Sequence, residues 1–286
     1  MNTRILYSVF AVFLALLEPA VLLGQRNELP DTTTSAATAA ALADSSPSKT
    51  FFVRNDLKLV ALGVFGTVLV SSYDKRIAHW TQTASVQGST SRHTLANDLT
   101  KVNETTLTAG AIVTYGVARL AHFSTVADVG LHTAEALILT SAISQAIRGP
   151  LGRVRPSAAV NPYTFQVGRG FLHFDNRSFP SLHSATAFAA ASAISGEIHA
   201  RDANANAFIS PVLYTAAAVP GLIRMYLNQH WASDVVGGAF VGTLIGSRVV
   251  SYAHSHKRTK LDRFLLGTNV ASNGRGGTTV SVSLDY

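Results

Sequence analysis

From residue 57 onward the chain is a succession of apolar runs separated by short polar, glycine- or proline-containing breaks. The runs cover residues 57–73, 107–123, 126–147, 183–199, 207–222 and 233–253, so each is 16–22 residues long. Runs of that length without strand-like alternation predict six α-helices. Alanine, glycine, serine and threonine recur through several of them, a texture that lets helices approach closely. The C-terminal segment has a different period. Residues 264–271 and 278–286 alternate apolar and polar positions around SNGRGG, which predicts a β-hairpin. The expected fold class is all-α: a six-helix bundle with a small C-terminal β-hairpin.

The N-terminus reads as a targeting segment. A short basic head, MNTR, precedes an apolar stretch over residues 5–24 that ends on a small residue. This is the pattern of an export signal, with an uncleaved N-terminal anchor as the alternative. Residues 25–50 are small and polar and read as a disordered linker. The helical domain then spans 51–260, followed by the hairpin over 261–286.

Hydrophobic residues make up 47% of the chain and charged ones 14%, and the mean hydropathy is +0.24. That is apolar for a soluble protein and low for a leucine-rich set of membrane spans. Arg119, His132, Glu135 and Glu197 fall inside apolar runs, where lipid contact is costly unless they face the protein interior. The expected location is exported and periplasmic with membrane association; an integral multi-span protein is the alternative. The basic run over 254–260 resembles a cytoplasmic flank and favours the latter. A net charge of +7 points to an anionic partner, and nucleic acid is not the one expected. With no cysteine, thiolate catalysis, disulfides and cysteine–zinc sites are excluded.

Three polar clusters fall at helix junctions. Arg148, Arg153 and Arg155 follow the third predicted helix within eight residues. Guanidinium groups grip phosphate with a planar fork, although arginines also favour a helix C-terminus for its dipole. Pro180-Ser181-Leu182-His183 opens the fourth helix, where unpaired N–H groups attract anions and where a serine is ordinarily an N-cap. Arg224, His230 and Asp234 lead into the sixth. A carboxylate four residues after a histidine can hold one ring nitrogen and leave the other as nucleophile or base, or can simply suit a helix start. In a sequential bundle the 3–4 and 5–6 connections share one end. All three clusters are therefore expected to face one pocket.

The set resembles the type 2 phosphatidic acid phosphatase (PAP2) superfamily, which includes class A acid phosphatases and vanadium haloperoxidases. The family pattern is Lys-x6-Arg-Pro, Pro-Ser-Gly-His and Ser-Arg-x5-His-x3-Asp. This chain has Arg148-x6-Arg155-Pro156, Pro180-Ser181-Leu182-His183 and Ile223-Arg224-x5-His230-x3-Asp234. Arg148 stands for the lysine, Leu182 for the glycine and Ile223 for the serine. Leucine crowds the pocket and does not readily adopt positive φ.

The resemblance implies that His230 attacks phosphorus, that Asp234 orients its imidazole, and that His183 protonates the leaving oxygen. It further implies that Arg148, Arg155, Ser181, Leu182 and Arg224 hold the phosphate. The implied activity is a metal-independent phosphoric monoester hydrolase acting on a phosphorylated lipid or a small phosphomonoester, with no cofactor. A vanadate-dependent haloperoxidase and a non-catalytic phosphate-binding protein are the alternatives. The remaining histidines match no motif and read as structural or surface residues, with His173 and Asp175 the candidates for a pocket mouth.

Overall fold

The computed structural model describes residues 50–256 and the backbone of 268–272 and 278–282. The expected leader over 1–24, and the linker up to residue 49, lie outside the described residues.

The six expected helices are present with shifted ends, but the six-helix count does not stand. The described residues form nine α-helices: α1 Asp56–Ser71, α2 Asp74–Thr81, α3 Ala84–Gln87, α4 Thr90–Leu99, α5 Glu104–Leu120, α6 Ser124–Leu151, α7 Leu182–Arg201, α8 Ala203–Tyr226 and α9 Ala232–Ser255. The three extra helices, α2 to α4, are short and polar, so they produce no apolar run to be read from the sequence. As a correction, then, the described residues form a nine-helix all-α domain rather than six helices closed by a hairpin. Two five-residue strands, β1 Thr268–Ser272 and β2 Thr278–Val282, pair antiparallel with Val270 opposite Val280, and the segment joining them is outside the described residues.

The centre of the bundle is α7, and α9 packs against it most extensively. The reason is visible in two rows of small residues. A Cβ added at Gly238, Gly242 or Gly246 of α9 would stand 2.5, 2.0 and 2.5 Å from the carbonyl oxygens of Ser181, Ala185 and Ala189. Glycines four apart on one helix thus lie directly on small residues four apart on the other, and the two backbones touch. Phe188, Ala191, Tyr214 and Ala218 fill the α7–α8 interface, while Leu59, Val236 and Phe240 seat α1 on α9.

Polarity is inverted relative to a water-soluble bundle. Ser184, Thr186, Ser192 and Ser195 of α7 and Thr243 of α9 are buried, whereas Phe65 and Val68 of α1, Val113 and Val117 of α5, and Phe208 and Val212 of α8 are exposed. Large apolar side chains pointing outward from three helices form a surface that water does not favour. By length and composition α6, α8 and α9 can each cross a membrane; α1 and α2, bent by 59° at their junction, make a fourth crossing if taken together.

Candidate active site

One end of the bundle collects the motif residues. The C-termini of α6 and α8 and the N-termini of α7 and α9 meet there, together with the long α6–α7 connection.

Helix α6 runs past its expected end, so Arg148 lies in its last turn rather than in a loop. Gly152 closes the helix with φ +60, a conformation natural to glycine, and an added Cβ would collide with the Gln166 carbonyl at 1.8 Å. Arg148 is buried; its Nη2 donates to the Pro180 carbonyl at 2.9 Å and its Nε has no partner. Arg155, also buried, donates to Gln229 Oε1 at 2.6 Å and to the Phe174 carbonyl at 3.2 Å, and its guanidinium stacks 3.9 Å over the Phe174 ring. Burial and the charges of Arg224 and Arg148 bring the Arg155 guanidinium down to about 9. Arg224, in the last turn of α8, likewise has an unpartnered Nε. Three positive charges close enough to repel one another, two with open N–H donors, form a site that a multiply charged anion would stabilise.

Ser181 occupies the N-cap of α7, but its side chain makes no capping bond, and its buried hydroxyl has no partner. The ordinary N-cap role is therefore not what this serine performs. Leu182 begins the helix and is not among the residues with positive φ, so the backbone penalty expected from leucine at this position does not arise. His183, in the first turn, lies against the Thr100 backbone and within reach of the charges of Arg224, Glu104 and Arg148. Glu104, at the start of α5, has a buried carboxylate oxygen without a partner and faces the arginine group; no motif pointed to it.

His230 precedes α9 and is buried. Its Nδ1 is 3.6 Å from Asp234 Oδ2, longer than a hydrogen bond, and is otherwise unpartnered. Burial, opposed by Asp234 and aided by Arg155, pushes the His230 imidazole down to about 3, which leaves it neutral with a free lone pair. The Asp234 carboxylate is fixed from several sides. It accepts from Ser178 Oγ at 2.5 Å, from the Trp231 N–H at 2.8 Å and from Arg153 Nη1 at 2.6 Å.

Arg153 thus has a different place from its two neighbours. It is buried and spends its donors on Asp234, on Ser233 Oγ at 2.8 Å, on Asp74 Oδ2 at 2.8 Å and on the Pro162 carbonyl. Asp74 also accepts from the Ser233 N–H and hydroxyl, at 2.8 and 2.5 Å. The Asp74–Arg153–Asp234 chain ties α2 to the start of α9, and sequence reading missed it. Asp74 lies in a helix with no apolar signature, 79 residues from Arg153. His173 and Asp175 are both exposed, and the Asp175 carbonyl accepts from the Arg155 N–H at 2.9 Å, so they border the site without entering it.

Residues 130–258 match the family model of the PAP2 superfamily. That segment is similar to PAP2 superfamily sequence. It contains every motif residue named above. Among curated proteins, the lipid A 1-phosphatase of Porphyromonas gingivalis is 32% identical over 150 residues, which are 48% of this chain and 32% of that protein. The match therefore spans about a third of that relative's length. A solved PAP2 structure, a transmembrane phosphatidylglycerolphosphate phosphatase from Bacillus subtilis, superposes with a TM-score of 0.52 at 20% identity. It covers 71% of this chain and 98% of that one, and it supports the helical fold.

Proposed function

We propose that the protein is a membrane-embedded PAP2-type phosphatase that hydrolyses a phosphomonoester carried by a lipid. The observation that carries this reading is the excess of buried donors at one end of the bundle. Ser181 Oγ, Arg148 Nε and Arg224 Nε lack partners beside a neutral His230, so the site holds bonding capacity and charge for one phosphate group. The relatives named above act on phosphorylated lipids. The surroundings agree: the α6–α7 connection presents Val167 (85% exposed), Leu172 (84%) and Phe174 (59%), apolar groups suited to an acyl-chain environment beside the phosphate.

In this scheme His230 Nε2 attacks phosphorus, forming a P–N bond as the ester P–O bond breaks. His183, held neutral in the free site by burial and the Arg224 charge, takes up a proton with the incoming phosphate dianion and transfers it to the departing oxygen. It then takes a proton from water, whose oxygen displaces the histidine and regenerates the enzyme. Asp234 fixes the ring and balances the imidazolium that develops. Arg148, Arg155, Arg224, Ser181 and the N–H groups at Leu182–His183 hold the equatorial oxygens. The guanidiniums supply the positive charge for this chemistry, so hydrolysis is expected to need no metal ion.

The test is a panel of phosphatidate, lysophosphatidate, a prenyl diphosphate and nucleotide monophosphates in detergent with EDTA. Phosphate release from the lipids, inhibited by vanadate, is expected. A strict Mg²⁺ requirement, or release confined to nucleotides, would overturn the reading. Carbonate extraction tests the embedding: release of the protein from membranes would exclude spans.

A further inference from the structure

The geometry points to a second site, at the opposite end of the bundle: a transition-metal site of the Zn²⁺ class formed by His132, Glu197 and His254. These residues come from α6, α7 and α9. By helix rise they stand roughly 20–30 Å along the axes from Arg148, His183 and Asp234 on the same three helices.

Three ligand atoms converge. His132 Nδ1 lies 2.5 Å and His254 Nε2 3.0 Å from the same carboxylate oxygen, Glu197 Oε1, and all three atoms fall within 4.8 Å of one another. Two imidazoles and a carboxylate are a donor set that Zn²⁺ accepts, with water completing a tetrahedron. In such a site ligand atoms stand ~3.3 Å apart, given bond lengths of ~2.0–2.2 Å. Each nitrogen would thus need to move from Oε1 by less than ~1 Å to admit the ion.

The supporting shell has the form that holds a metal ligand in place. Arg201 binds the other Glu197 oxygen, Oε2, and donates through Nη2 to Asp128 at 2.9 Å. Oε2 is therefore occupied, and Oε1 alone faces the two rings. Glu197 is fully buried, whereas the His254 side chain is 38% exposed, so the fourth position has access to solvent. On binding, each neutral ring shifts its proton to its other nitrogen, and any imidazolium releases one proton to water. The ion would pin the far ends of the three helices whose near ends carry the phosphate site. The inference does not rest on the phosphatase reading.

The experiment uses the full chain in detergent, freed of any affinity tag and stripped with chelator, then dialysed against Zn²⁺ or Co²⁺. One equivalent per chain, a tetrahedral Co²⁺ absorption spectrum and a raised Tm are expected. His132→Ala and His254→Ala should each weaken binding about 10-fold or more, and the double variant should abolish it. His254→Ala removes a half-exposed ring, so it is the variant expected to keep the fold if Glu197→Gln does not. His199→Ala, outside the cluster, should bind as the wild type does. Absence of stoichiometric binding, or binding that survives in the double variant, overturns the proposal.

Discussion

The two ends of the bundle hold buried charge in opposite ways. At the end where α7 begins, donors outnumber acceptors: three guanidiniums crowd together, and a serine hydroxyl and two arginine Nε atoms have no partners. At the end where α7 finishes, a carboxylate gathers two imidazoles and an arginine around itself. The first arrangement has open donors suited to an anion, and the second groups lone pairs suited to a cation. Buried charge is tolerated only when it is answered, so the balance of donors and acceptors tells the two sites apart. The Asp74–Arg153–Asp234 chain is a third case. There the protein supplies both signs, and Arg153 is a structural hub that also holds Asp234 in place.

This contrast is sharpest at Arg153. Its removal leaves Asp74 and Asp234 buried without their shared cation, and Arg153→Ala is expected to cost about 3–5 kcal/mol of stability, read by denaturation in detergent. Arg155→Ala, by relieving repulsion among like charges, should lower phosphate affinity with a far smaller stability loss. Equal destabilisation by the two substitutions would erase the distinction between hub and ligand.

His230→Ala should remove more than ~2 kcal/mol of transition-state stabilisation, seen as a fall in kcat with folding retained. Wild-type turnover in that variant would refute the nucleophile assignment. Gly242→Ala tests the seam that aligns the ends. Its methyl group would meet the Ala185 carbonyl at 2.0 Å, so the helices must part, at about 1–3 kcal/mol and with loss of activity. An unaffected variant would show that the contact is not what sets the site.

Acid stability gives a further test. The unfolded His230 imidazole takes a proton near pH 6.5, while the buried one does so only at about 3. Between those values the unfolded chain binds more protons, so His230 lowers stability as pH falls through that window. His230→Gln should flatten the fall in Tm over the same range. An unchanged slope would mean the ring is not held neutral.

Sequence pattern exposed the six long helices because each had an unbroken apolar run, and it exposed the motif residues because their spacing is local. Composition and position alone did not separate Arg153 from Arg148 and Arg155, since three arginines within eight residues look alike; the family pattern singled out Arg148 and Arg155, and the buried role of Arg153 is visible only once the backbone turns it inward. Asp74 and Glu104 sit in segments with no motif, and their partners lie far along the chain, so only folding identifies them. His132 and Glu197 were visible as polar residues within apolar runs. That signal marked them as inward-facing, but the 65-residue gap between them hid that they meet.

The α7–α9 seam has one further consequence. Because carbonyls of one helix rest directly against glycines of the other, the spacing between α7, which carries His183, and α9, which follows His230, is set by main-chain thickness rather than by bulky side chains. The peripheral helices α1, α5 and α8 can therefore change their outward residues to suit bilayers of different depth or lipids of different shape. The placement of His183 relative to His230 at one end of that inner pair would not drift as they do so.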